Sequence, residues 1–136
     1  MNAEELKERT KQFALGVMHL VEAVPKSTKA RAIANQLIRS GTSVAANYRA
    51  ACRSRSHAEF VSKIGVVEEE ADETALWLEL IISDKILPEK KVNPLLIEAN
   101  ELVKIMAASF ISARNNGSAR RNVSPKSAIR NQQSAI

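Results

Sequence analysis

Aromatic side chains, cysteine and histidine are scarce in this chain, and each scarcity narrows what it can be. Its 136 residues include one Trp, one Tyr, three Phe, one Cys and two His. A single cysteine, Cys52, can form neither an intramolecular disulfide nor a paired-thiol metal site. Packing alone must therefore stabilise the fold. No run of about 18 apolar residues is present, which is the least that a membrane-spanning helix requires. The N-terminal stretch MNAEELKERTKQ is charged where a signal peptide needs an apolar centre. The expectation is one small cytoplasmic domain with no membrane partner.

Acid is missing from the C-terminal stretch. Residues 114–136 hold five basic residues and no acid, and they supply the whole net charge of +5. Residues 26–63 carry eight basic residues against Glu59, a balance of +7, whereas residues 64–113 carry four basic and ten acidic, a balance of −6. This segregation predicts a basic and an acidic face.

The four prolines, Pro25, Pro88, Pro94 and Pro125, all fall between periodic segments, where helices start or stop. Leu6, Phe13, Val17, Leu20 and Val24 recur at helical spacing over about residues 3–24, with a polar interruption at Thr10. Ser27 or Thr28 can cap a second helix over about 28–52, striped by Ala30, Ile33, Leu37, Gly41, Val44 and Tyr48. Ser56 and Glu59 form a capping-box pattern that opens a third, about 57–86. Its stripe, from Phe60 through Ile64, Val67, Ala71, Thr74 and Leu78 to Ile81, is the strongest in the chain. Asn93 and Pro94 predict the start of a fourth, about 94–114. Nothing alternates long enough for a sheet.

The expected fold is all-α, an antiparallel up-down-up-down four-helix bundle over 1–114, followed by a disordered arginine-rich tail over 115–136. Gly16, Gly41 and Gly65 lie inside helices, and close helix approach is the expected compensation. Val103, Phe110 and Ile111 beside Ile105 form a second apolar row on the fourth helix, either a subunit interface or part of the monomer's own core.

Several constellations invite a chemical reading. Glu68, Glu69, Glu70, Asp72 and Glu73 crowd the third helix, but a di-iron bundle needs Glu-x-x-His on two helices. Gly16 and Ser54 stand three residues before His19 and His57, so no metal and no cofactor is expected. Cys52 and His57 straddle a turn without a third group to orient them. Arginine and histidine also miss the spacing of helical-bundle RNases, so the expectation is a protein that is not an enzyme.

Glu70 and Glu73 share a flanking stripe with Val66, Trp77 and Leu80, where unpaired carboxylates would be costly. A polar network of Arg39, Asn47, Glu70, Glu73 and Trp77 is expected, with Arg39 and Asn47 partnering the acids. Arg49, Arg53, Arg55 and Lys63 surround the turn between the second and third helices, with Arg39 further back. These five are the expected phosphate contacts, helped by the positive end of the third helix. Tyr48 is the one aromatic nearby, so backbone contact is favoured over base stacking. The competing reading is a scaffold whose segregated charges serve assembly of a homo-oligomer.

The run QLIRSGTSVAANYRAACRSRSHAEFVSKIGVVEEEADETALWLELI resembles the four-helix bundle family first associated with intervening sequences in bacterial 23S rRNA. Gln36, Leu37, Arg39, Ser40, Ser43, Asn47, Tyr48 and Arg49 fit its second-helix pattern, and Phe60, Lys63, Glu70, Glu73, Thr74, Trp77 and Leu78 its third. Ala50 departs from the glutamate often found after that arginine. The resemblance implies a protomer that assembles into a homopentameric ring. It also implies kinship with the accessory protein of diversity-generating retroelements, which binds nucleic acid and a reverse transcriptase. RNA or DNA, and a reverse transcriptase or another protein, are thus the expected partners.

Overall fold

In the computed structural model, residues 1–120 are described, with side chains described through 117. The four helices are α1 (Ala3–Glu22), α2 (Thr28–Cys52), α3 (His57–Ser83) and α4 (Glu89–Arg120). Sequential helices pack on one another and α1 also meets α4, which closes the all-α bundle.

Each start has a local cause. Asn2 caps α1 in a reciprocal capping box with Glu5, and Ser27 caps α2 by accepting from Ala30 N. At α3 the Ser56 hydroxyl accepts from Glu59 N at 3.1 Å, while the Glu59 carboxylate accepts from Arg55 N at 3.4 Å. The expected box is therefore half formed, its return bond displaced by one residue.

The end of α3 gives no glycine signal. Lys85 takes φ 56°, and Ile86 N donates to Ile81 O at 2.9 Å while Lys85 N donates to Ile82 O at 3.0 Å. This is a Schellman closure with lysine at the left-handed position. The chain then re-enters helix after Pro88, not at Pro94. Asn93–Pro94 is thus corrected as a start: Pro94 lies inside α4, five residues past Glu89, where the missing N–H forfeits one bond of the helical ladder. The other end is corrected too, because α4 runs to Arg120, past the expected stop at Arg114. Residues 121–136 of the expected tail lie outside the described residues.

The apolar stripes meet on the bundle axis. Leu37, Val44, Ile64, Val67, Leu78, Ile81, Leu102 and Met106 are fully buried, each contributing about 1.5–3 kcal/mol of transfer free energy. Thr10, the polar interruption in α1, also points inward, its hydroxyl donating to its own helix at Leu6 O and Lys7 O. The three glycines expected inside helices each mark a different helix contact, Gly16 with Leu95, Gly41 with Val17 and Gly65 with Phe110, and Gly117, inside the extended α4, meets His57. On α4, Val103, Ile105 and Phe110 pack against the monomer's core, whereas Ile111 is exposed.

Candidate functional site

The α2–α3 seam holds a polar network at mid-height. Arg39 extends from α2 to both acids of α3, reaching Glu70 Oε2 at 3.4 Å and pairing with Glu73 Oε2. Trp77 Nε1 donates to the same Glu73 oxygen at 3.4 Å. Beneath it, the buried Thr74 hydroxyl donates to Ser40 Oγ at 2.8 Å, linking the two helices with neither group left dry. Asn47 does not join. Its amide donates to Ser43 O and Ser43 Oγ at 2.9 and 2.8 Å, one helical turn back, so its expected bond to the carboxylates is corrected.

That network removes Arg39 from the basic surface. Arg39 stands ten residues before Arg49, about 15 Å along the axis, and its charge is spent on two carboxylates. Arg49, Arg53 and Arg55 are exposed at the far end of α2 and its turn, and none has an acid partner among the described residues. Acids at the same end already have bonds, Glu59 to the backbone N–H of Arg55 within the turn and the others along α1 or at its cap. Glu4 bonds Lys7 at 2.9 Å, Glu5 closes the α1 capping box, and Glu8 accepts from Gln12 at 2.8 Å.

The cations form a collar, not one flat patch. Asn47 follows the α3-facing Ser40 by seven residues and so shares its stripe, and Arg49, two residues on, lies about 200° around the helix, toward α1. Lys63 precedes Glu70 by seven residues and so occupies the α2-facing flank of α3, where it is half-buried. Arg53 and Arg55 cover the tip between them. Lys29 belongs to the opposite end, where it pairs with Asp84 at 2.6 Å.

Neither Cys52 nor His57 is set up as a nucleophile and base. His57 Nε2 donates to Ala113 O at 2.6 Å, and Nδ1 is buried without a partner. Tyr48 is 1% exposed, and its hydroxyl makes no hydrogen bond. Burial foremost, then the neighbouring Cys52 thiol and Glu4, drives its pKa far above the ordinary value near 10. Among the described residues, no group of three or more His, Cys, Asp or Glu is placed to hold a metal ion. No described helix is long and apolar enough to cross a membrane.

Two features lay beyond sequence reasoning. Arg9 on α1 grips Glu98 on α4 with two bonds, Nε to Oε2 at 2.6 Å and Nη2 to Oε1 at 2.7 Å. That bond raises the pKa of Arg9 against the opposing effect of burial. The other is the His57–Ala113 contact, between residues too distant in sequence for any spacing rule to pair.

An antiparallel four-helix bundle with one cationic end defines the class. The chain belongs to the 23S rRNA-intervening sequence protein family, whose profile matches residues 4–108. It is similar to a solved structure of a protein of unknown function from the S23 ribosomal protein family of Bacteroides thetaiotaomicron VPI-5482. The TM-score is 0.72 at 29% identity, over 76% of this chain and 96% of that one. No curated protein matches the chain.

Proposed function

We propose that this protein is a non-enzymatic, oligomeric accessory protein of the cytoplasm that holds RNA or DNA by its phosphates. Arg49, Arg53, Arg55 and Lys63 are the contacts. One observation carries the reading: three exposed arginines gather at one end of the bundle with no acid partner for their side chains among the described residues, while Glu4, Glu5 and Glu8 bond within α1 or its cap and Glu59 bonds the backbone N–H of Arg55. The free N–H groups at the start of α3 add a partial positive charge at the same place. Assembly into a ring of five, and a protein partner such as a reverse transcriptase, are the extensions that the family resemblance suggests.

Fluorescence anisotropy with a labelled 30-nucleotide RNA and its DNA counterpart, titrated against salt, tests the proposal. Affinity falls steeply with salt, and Arg53→Glu with Arg55→Glu weakens it strongly. A flat salt response, or no binding at low salt, overturns the reading.

A second reading, a protein-interaction scaffold, is favoured by Leu76 and Leu80, which are 46% and 39% exposed one turn apart on α3. Native mass measurement on the same double variant separates the two. Loss of assembly favours the scaffold, and loss of RNA with assembly intact favours phosphate binding.

A further inference from the structure

Two outer seams of the bundle stay bare. Leu76 and Leu80 on α3 are 46% and 39% exposed, and Ile97 and Ile111 on α4 are 57% and 51% exposed. These are four of the six large apolar side chains exposed among the described residues. Gathered on two seams and not scattered singly, they mark a surface that meets another molecule.

Both seams repeat at steps of seven. On α4 the repeat is Lys90, Ile97, Lys104 and Ile111, and on α3 it is Ser62, Glu69, Leu76 and Ser83, all exposed. Seven residues fall about 20° short of two full helical turns, so each set forms one continuous row. The exposed Asp72 and Leu80 flank the α3 row.

The rows are opposite in charge. Neither Glu69 nor Asp72 has a cation partner among the described residues, and Lys90 has no acid there. Lys104 reaches only Glu101 of its own helix, at 3.6 Å. The two rows lie on neighbouring helices and both face outward, so they cannot meet within one chain.

We propose that the α3 row of one copy packs antiparallel against the α4 row of the next, with Ile97 over Leu76 and Lys104 over Glu69. In this register Lys90 meets Ser83 and Ile111 meets Ser62, so every step of both rows is used. A parallel register with Ile97 over Leu76 would carry Ile111 past the end of α3 at Ser83. Within one copy α3 and α4 run in opposite directions, since Phe110 lies on Gly65 and Ala113 on His57. Copies standing side by side with the same end up therefore bring the two rows together antiparallel. Two different faces meet, so the contact repeats from copy to copy. Every Arg53–Arg55 turn then stands on the same side of the assembly, which multiplies the phosphate contacts open to one polyanion. The proposal rests on the oligomeric part of the reading above and names its contact.

Native mass measurement and disulfide trapping on the full-length chain test it. Glu69→Lys with Asp72→Lys, and separately Lys90→Glu with Lys104→Glu, each raise the dissociation constant of the assembly by about tenfold or more, because like charges then face each other. All four changes in one chain restore assembly. In a Cys52→Ser background, a Leu76→Cys chain mixed with an Ile97→Cys chain gives a disulfide-linked pair on mild oxidation, whereas Leu76→Cys mixed with Ile111→Cys does not.

Assembly indifferent to both charge reversals overturns the contact alone and leaves the α3 row for a different protein. Disulfides that link Leu76→Cys chains to one another, with none to Ile97→Cys, also overturn it, since like faces would then be meeting. A native chain that stays monomeric at every concentration overturns the contact and the oligomeric reading together.

Discussion

Arg9 and Glu98 join the first and last helices through two parallel bonds, at 2.6 and 2.7 Å, with about 30% of each side chain exposed. The α1–α4 interface is the thinnest of the four, so this bridge supplies polar definition where apolar contact is least. Exposed ion pairs are worth under about 1 kcal/mol, whereas breaking a buried one costs about 3–5. A half-buried bidentate pair falls between. Glu98→Gln is expected to lower stability by about 1–2 kcal/mol in urea unfolding, and the joint change Arg9→Met with Glu98→Leu to recover most of that loss.

Gly41 touches Val17 so closely that an added Cβ would stand 2.9 Å from both valine methyl carbons. Alanine gains about 1 kcal/mol of helix propensity, but overpacking a full core costs about 1–3 kcal/mol. Gly41→Ala is therefore expected to lower stability by about 1 kcal/mol. Gly65→Ala meets Phe110 at 3.3 Å, a contact that slight ring movement relieves, and is expected to be neutral or mildly stabilising. Equal losses from the two would refute the steric argument.

Lys85 holds a left-handed conformation at φ 56° that costs a side-chain-bearing residue about 1–2 kcal/mol. Glycine adopts it freely, at some cost in unfolded-state entropy. Lys85→Gly should raise stability by about 0.5–1 kcal/mol, read as a higher urea midpoint with an unchanged slope.

The Tyr48 hydroxyl is buried without a partner, so Tyr48→Phe removes a desolvation cost and is expected to leave stability unchanged or raise it by up to about 1 kcal/mol. Its pH dependence has a definite sign. The folded-state pKa is raised, mainly by burial, so the stability tied to the neutral phenol is complete below the unfolded value of about 10 and is lost as pH rises above it. Between pH 10 and 11.5 the native chain should lose up to about 1.4 kcal/mol per pH unit more than Tyr48→Phe. Parallel curves would show that the hydroxyl is hydrated.

The helices were legible because their apolar residues recur at three and four, and three of the starts carry Asn or Ser caps. The α3–α4 junction was misread for a physical reason. Its helix stop uses Lys85, a residue that gives no turn signal, while Asn93–Pro94 mimics a start within a helix that has already begun. Arg39, Glu70, Glu73 and Trp77 were readable from stripe geometry alone. Asn47 was not, since a short amide facing a hydroxyl one turn back satisfies itself locally. Arg9–Glu98 and His57–Ala113 depend on lateral register between distant segments, which no single-helix pattern encodes.

Pro94 also has a dynamic consequence. Lacking an N–H, it cannot bond the Lys90 carbonyl, and before it the amides of Glu89 and Lys90 have no preceding helical turn to donate to, while Lys91 N donates to Pro88 O at 3.0 Å. The opening turn of α4 is thus held by a sparse backbone ladder together with the buried side chain of Val92. Local unfolding should begin there, so deuterium will enter this turn well before it reaches the amides around Leu102 and Met106.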